Sequence, residues 1–239
     1  MKKQEIISFF EDKYQLNKEQ KLYLTIHAKR FEVVLSLIQS KNFNKILDIG
    51  PSFLSELLYQ KFKKNLSLLG FDGSQSIGGH LPDLKIFEKI DFIPQDLNFW
   101  NHSQNQISNF DLIVCGEVLE HLYTSPSILF QNFYKSLNKN GRLIIQTPNA
   151  VTLRKRIKML TGINPFEIPR ENLKNPGHYR EYTLKELIQL GKSNSFSIDK
   201  ILMEEYFEYP STLSTIYRTF KIFIPKSLRT GITIVFKKL

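Results

Sequence analysis

Four groups of residues have the types and spacings from which chemistry can be built. The first is Asp48-Ile49-Gly50, a carboxylate and a glycine closing a short apolar run. The second is Asp72, which lies 22 residues past Gly50. A glycine turn followed about 20 residues later by an acid is where a carboxylate grips the two hydroxyls of a ribose. The third is Asp96-Leu97, just after another apolar run. The fourth is Glu117, Glu120 and His121, with His178 much later in the chain. A neutral imidazole can take a proton near physiological pH, so His121 is the first candidate for a general base and His178 the second. Two carboxylates and two imidazoles are also a donor set for a divalent cation. Taken singly, each has an ordinary structural reading: Asp48 can cap a turn, Asp72-Gly73 is a common turn dipeptide, and a lone histidine is often structural.

The elements that must position these residues follow from periodicity. The first forty residues read as helix, with Asn17 and Gln20 forming a capping box for a second helix through Leu22, Ile26, Val33, Val34, Leu37 and Ile38. From Lys45 onward, short apolar runs alternate with helical segments. Strands are expected at 46–49, 66–71, 91–94, 111–115 and 141–146, with Ser125-Pro126 opening a helix after the fourth. Such alternation implies a parallel sheet covered on both faces, a doubly wound α/β fold. Residues 150–180 break the rhythm with Pro165, Pro169, Pro176 and the basic run Arg154–Lys158. A stretch of that length between sheet elements is usually functional, and here it is expected to be a mobile lid over a substrate site. Thr183 with Glu186 caps a further helix, and runs near 196–206 and 230–237 are expected to complete the sheet as an antiparallel pair. The organisation expected is one domain: a helical cap (1–41), a cofactor-binding core (42–149), the lid insertion (150–180), and a C-terminal helix and strands (181–239).

In a doubly wound sheet, ligands sit at the C-terminal ends of the strands, which is where the four groups fall. A dinucleotide needs G-x-G-x-x-G so that backbone amides can approach its pyrophosphate. Here the loop reads Gly50-Pro51-Ser52-Phe53-Leu54, with one glycine and a proline that has no N–H. That argues against NAD. S-adenosylmethionine has no phosphate and tolerates such a turn, with Ser52 capping the next helix.

The ordered motifs resemble those of class I S-adenosylmethionine-dependent methyltransferases over roughly residues 44–195. Lys45–Gly50 looks like the family's first motif, although further glycines usually follow. Phe110–His121, containing Gly116-Glu117-Val118-Leu119-Glu120-His121, is the closest match and is similar to the branch that includes ubiquinone-biosynthesis O-methyltransferases. Gly141–Asn149 and His178–Thr183 resemble that branch's fifth motif and lid-to-helix junction. The resemblance implies a Rossmann-like methyltransferase fold with S-adenosylmethionine as cofactor. It implies cofactor contacts from Asp48, Gly50, Asp72, Asp96, Leu97 and Glu117, with Asp72 on the ribose and Asp96 on the adenine amino group. Relatives of this branch use the pattern with a divalent ion, which here would fall to Glu117, Glu120, His121 and His178; the more ordinary reading has Glu117 facing the cofactor, Glu120 solvated and His121 alone functional. Phe99 and Trp100 can line an adenine pocket, though core packing is the more ordinary role of such residues.

Composition narrows the partners. At 41% hydrophobic and 23% charged the chain has the balance of a globular protein, which argues against disorder. The single cysteine, Cys115, allows no internal disulfide and reads as a buried thiol in a reducing compartment. Acidic residues from Glu5 onward argue against a signal peptide, and no apolar run approaches the ~18 residues that span a bilayer, so a cytoplasmic location is expected. Residues 1–150 hold 17 basic and 15 acidic side chains, a net of +2; residues 151–239 hold 16 and 8, a net of +8. Such asymmetry points to a solvated basic surface or an anionic partner. Lys226, Arg229, Lys237 and Lys238, near Phe220, Ile222, Phe223 and Ile224, are the residues expected to meet an anionic acceptor or a membrane surface. The functions that fit are O-methylation of a small-molecule, lipid-linked or glycan acceptor, terminal-ribose methylation of RNA, or a cofactor-fold binding protein without catalysis. Nucleic acid is the weaker partner, because no basic stripe interleaved with aromatic residues is present.

Overall fold

The computed structural model describes residues 1–39, 41–71, 83, 85, 88–102, 107–172, 177–207 and 223–239. Helices α1 (Lys3–Lys13) and α2 (Lys18–Ile38) open the chain. As expected, Asn17 caps α2: its side chain accepts from the Gln20 amide, and Gln20 reaches back to the Asn17 amide. Then follow β1 (Ile46–Ile49), α3 (Phe53–Phe62), β2 (Leu66–Gly70), β3 (Asp91–Pro94), β4 (Phe110–Gly116), α4 (Pro126–Ser136), β5 (Leu137–Pro148), α5 (Leu153–Leu160), α6 (Leu184–Ser193), β6 (Phe196–Glu204) and β7 (Gly231–Lys238).

The seven strands form one sheet in the order β3-β2-β1-β4-β5-β7-β6. Strands β1 to β5 run parallel, and β7 is antiparallel to both β5 and β6. This is the doubly wound, Rossmann-like arrangement expected from the sequence. Successive strand residues serve opposite faces, so the parallel strands read as continuous apolar runs. Leu47, Ile49, Ile113, Cys115, Leu143 and Ile145 pack with Phe130 and Phe133 of α4 and Leu187 of α6. Ile46, Leu112, Val114 and Ile144 pack on the other face with Phe10 of α1, Phe31 and Val34 of α2, and Leu57 of α3. Cys115 is buried, as its apolar setting indicates.

Three local expectations change. Strand β5 begins at Leu137 rather than Gly141, because buried Leu137 pairs with Phe110 and Asn138 donates to Asp111; Asn140 takes up the resulting kink at φ 63°. Ser125 precedes α4 as expected, but its side chain makes no cap bond, and Pro126 alone defines the first turn. The basic run after β5 is helical: Thr152 Oγ1 accepts from the Lys155 amide and starts α5.

Chain order reverses between β1 and β4, whose ends pair Ile49 with Cys115. The crevice beyond those ends is the switch point at which such sheets bind ligands.

Candidate functional site

The loop leaving β1 is built from one glycine. Gly50 adopts φ 76°, and a Cβ there would sit 2.4 Å from Cγ2 of Val118. Both facts demand glycine: left-handed backbone suits it, and the turn runs tight against the chain leaving β4. Pro51 is accommodated because Gly70, at the end of β2, has no side chain; a Cβ there would meet Pro51 Cδ at 2.8 Å. The absent glycines of the usual motif are thus compensated on the neighbouring strand. Ser52 caps α3 as expected, accepting from the Leu54 amide at 3.2 Å. Asp48 is buried and accepts from Ser55 Oγ at 2.6 Å. Burial pushes its carboxyl up to about 7, against the opposing pull of the Ser55 hydrogen bond and the Arg30 charge.

Beyond β3, Asp96 Oδ1 accepts from both the amide and the side chain of Asn98, at 2.9 and 3.1 Å. This folds the chain into a 3-10 turn over Leu97–His102. Asn98 Oδ1 in turn accepts from the amides of Tyr123 and Thr124, tying this turn to the segment after β4. Leu97 is buried, and Trp100 packs edge-on against Phe133 at 5.5 Å, so Trp100 is a core residue while Phe99 stays exposed. Asp72 lies outside the described residues.

At the end of β4 the backbone is strained. Glu117 holds φ 58°, a left-handed conformation costly for a non-glycine residue, fixed by its amide donating to Gln146 O at 2.8 Å. Glu117 Oε1 is buried without a hydrogen-bond partner among the described residues. Burial, and then the neighbouring Glu120 charge, hold its carboxyl well above the usual range. Glu120 is fully buried; burial pushes it up to about 7, and its Oε1 is likewise unpartnered while Oε2 accepts from Thr147 Oγ1 at 3.0 Å.

The cation facing these acids is Arg30, a residue not singled out in the sequence. It lies on α2, 1% exposed, with Nε donating to His27 Nδ1 at 3.0 Å and Nη2 to Tyr23 OH at 2.9 Å. Its Nη1 lies 3.1 Å from where a Cβ on Gly116 would sit, so glycine at the end of β4 admits the guanidinium to the crevice. Its charge draws down the carboxyl pKa of Asp48, Glu117 and Glu120 alike. The signal was present: an arginine within the stripe Leu24, Ala28, Phe31, Val34 that covers the sheet.

The first and second candidates for the base, His121 and His178, are in contact. Their ring centroids lie 4.8 Å apart at 76°, although 57 residues separate them in sequence. Tyr179 and Arg180 amides both donate to Glu120 O, which stitches the end of the stretch 150–180 onto the segment after β4. His121 Nδ1 lies 2.8 Å from Gly177 O. A carbonyl only accepts, so Nδ1 carries a proton there. His178 Nδ1 lies 3.3 Å from Glu181 Oε1. Burial and the His121 charge push His178 down to about 4, so at neutral pH it is a neutral ring donating to a carboxylate rather than half of an ion pair. The charge on Glu181 is met instead by Lys155 of α5. In both rings Nδ1 is engaged by an oxygen, which leaves Nε2 as the outward nitrogen.

Glu120, His121 and His178 offer ligand atoms all within 4.8 Å of one another. Glu117 stands outside this trio, so the expected four-residue set contracts to three. Ligands about 2.1 Å from a tetrahedral ion sit roughly 3.4 Å apart, so closing on an ion takes only small side-chain rotations. The Nδ1 hydrogen bonds to Gly177 and Glu181 are the outer contacts that orient such ligands. The donor set fits a divalent cation.

Comparison with known proteins fits this geometry. No curated protein sequence matches the chain. Among solved structures, a magnesium protoporphyrin IX methyltransferase from Synechocystis PCC 6803 with bound S-adenosylhomocysteine superposes with a TM-score of 0.57 at 15% identity, covering 94% of this chain and 89% of that one. A SAM-dependent methyltransferase from Archaeoglobus fulgidus gives 0.55 at 16% identity, covering 91% and 98%. The N-methyltransferase NodS from Bradyrhizobium japonicum WM9 in complex with S-adenosylhomocysteine gives 0.52 at 15%, covering 87% and 85%. At these identities the likeness establishes the fold. A family model for a methyltransferase domain matches residues 22–201, the greater part of the chain, and the protein belongs to that methyltransferase family.

Proposed function

We propose that this methyltransferase uses S-adenosylmethionine to methylate a hydroxyl group of its acceptor. When bound, the sulfonium cofactor supplies an activated methyl group for in-line displacement, so the protein's task is positioning and proton transfer. The crevice suits the cofactor at three points. Gly50 lets the turn after β1 close against Val118 at the head of the crevice. Arg30 is a buried cation for the methionyl carboxylate, and Glu117, with an unpartnered oxygen, faces the ammonium. Asp96 and Leu97 stand at the end of β3 for the adenine, and Asp72 is proposed for the ribose hydroxyls.

The observation that carries the choice of a hydroxyl acceptor is the histidine pair, with each Nδ1 engaged by an oxygen and Nε2 left for an acceptor. A neutral amine attacks through its own lone pair. A hydroxyl must lose its proton to a base during attack. His121 is placed to take that proton at Nε2, while Gly177 O holds its tautomer; His178 orients the acceptor oxygen. If Glu120, His121 and His178 instead hold a divalent cation, His121 Nε2 would be a ligand, and the cation, by lowering the pKa of a coordinated hydroxyl, would take the place of His121 as base.

The test is a screen of acceptors paired as hydroxyl and amine analogues, with labelled methyl donor. Label on the hydroxyl members is the expected result. Transfer to amines alone, undiminished in His121→Asn, would refute the reading.

A further inference from the structure

An amphipathic helix ordinarily forms because its apolar side is buried. Helix α5 has an apolar stripe of Leu153, Ile157 and Leu160 and no buried residue at all. The chain after it continues the pattern. Of the fourteen large hydrophobic side chains exposed among the described residues, six fall between 157 and 168: Ile157, Met159, Leu160, Ile163, Phe166 and Ile168. Leu160 is 87% exposed and Ile168 is 85% exposed. Interspersed are Arg154, Arg156 and Lys158, none of which has a carboxylate partner among the described residues.

We propose that this face docks on an anionic lipid bilayer. Apolar side chains flanked by unpaired cations are the two components of interfacial adhesion: burial below the headgroups and attraction to their charge. A second copy of the chain is the poorer occupant, because the formal charge of +10 and the cations on this face repel their like. A polyanion such as RNA would leave the apolar side chains unused.

Of the C-terminal residues expected to meet such a surface, Phe220 and Ile222 lie outside the described residues, and two of the cations are engaged elsewhere. Arg229 pairs with Glu204 at 3.0 Å, and Lys238 donates to the Tyr134 and Leu137 carbonyls. Ile232, Ile234 and Phe236 of β7 are buried.

The docking face is tied to the histidine pair at two points. Lys155 bonds Glu181, which holds His178, and Glu167 accepts from the His178 amide at 3.0 Å. A bilayer seated on this segment therefore lies beside the crevice, where an acceptor with a lipid anchor would arrive.

Co-sedimentation of the full chain with phosphatidylcholine vesicles, with and without phosphatidylglycerol, tests the proposal without any methyl transfer. Binding is expected only with the anionic lipid. At about fivefold per cation, the triple variant Arg154→Gln, Arg156→Gln, Lys158→Gln should bind on the order of a hundredfold more weakly. The pair Leu160→Ser and Ile168→Ser should weaken binding at least about tenfold. Their exposure predicts unchanged thermal melts, which serve as the folding control. Absence of anionic-lipid dependence overturns the proposal. So does binding that the apolar pair leaves unchanged, which would mark a simple polyanion site.

Discussion

Replacing Arg30 with methionine keeps most of its volume and removes its charge. The guanidinium is 1% exposed, donates two hydrogen bonds, and faces Asp48, Glu117 and Glu120. Breaking a buried charge cluster by removing one partner costs about 3–5 kcal/mol when the remaining charge cannot neutralise. Here it can, because burial already raises all three acids and loss of the cation raises them further. A raised carboxyl pKa makes stability fall as pH rises, so the deficit of Arg30→Met should be smaller at pH 6 than at pH 8. Cofactor affinity should fall at both. A charge-assisted hydrogen bond to the methionyl carboxylate is worth about 1.5–3 kcal/mol, which is roughly a 10- to 150-fold loss. Calorimetric titration with S-adenosylhomocysteine reads the affinity, and chemical denaturation at the two pH values reads the stability. A folded Arg30→Met protein that binds within about threefold of wild type would remove Arg30 from the cofactor site.

Other outcomes follow from the same geometry. His121→Asn should lower methyl transfer by about 10²–10⁴ while leaving S-adenosylhomocysteine affinity unchanged, as measured by single-turnover kinetics and calorimetry; equal losses in both would mean a structural role. Asp48 has a folded-state pKa of about 7 against an ordinary 3.8, so its contribution to stability is present below pH 4 and lost as pH climbs through 7. Asp48→Asn removes that loss, on the order of 4 kcal/mol as an upper bound, and the variant should gain on wild type between about pH 4 and 7 in denaturant titrations. A pH-independent difference would contradict the buried-acid account. Zinc titrated calorimetrically into the protein should bind at one site that His178→Ala abolishes and Glu117→Gln spares; identical heats in all three proteins would eliminate the trio as a cation site.

Local elements were legible because they rest on local chemistry. The caps at Asn17, Ser52 and Thr183 follow from short spacings, and the apolar runs of β1 and β3 coincide with the strands observed. The meeting of His121 with His178 was anticipated from a family resemblance rather than from spacing, since 56 residues intervene. What escaped depends on partners distant in sequence. Arg30 looks like one polar position on a long helix until α2 is laid over the ends of β1 and β4. Gly70 matters only because Pro51 lies against it, and the Gly177 carbonyl fixes the His121 tautomer across 56 residues. The insertion of β7 between β5 and β6 is another long-range feature, because antiparallel pairing can be read from pattern but neighbour order cannot.

The central claim is that the ends of β1, β3 and β4 form one crevice in which the cofactor's reactive end faces the histidine pair. A crystal structure with S-adenosylhomocysteine bound tests it most directly. It should show the amino-acid end between Arg30 and Glu117, the adenine beside Asp96 and Leu97, and the sulfur directed at the space before His121 Nε2. That space should admit an acceptor oxygen about 3–3.5 Å from the methyl carbon. A ligand whose sulfur faces away from His121 and His178, or whose carboxylate makes no contact with Arg30, would contradict it.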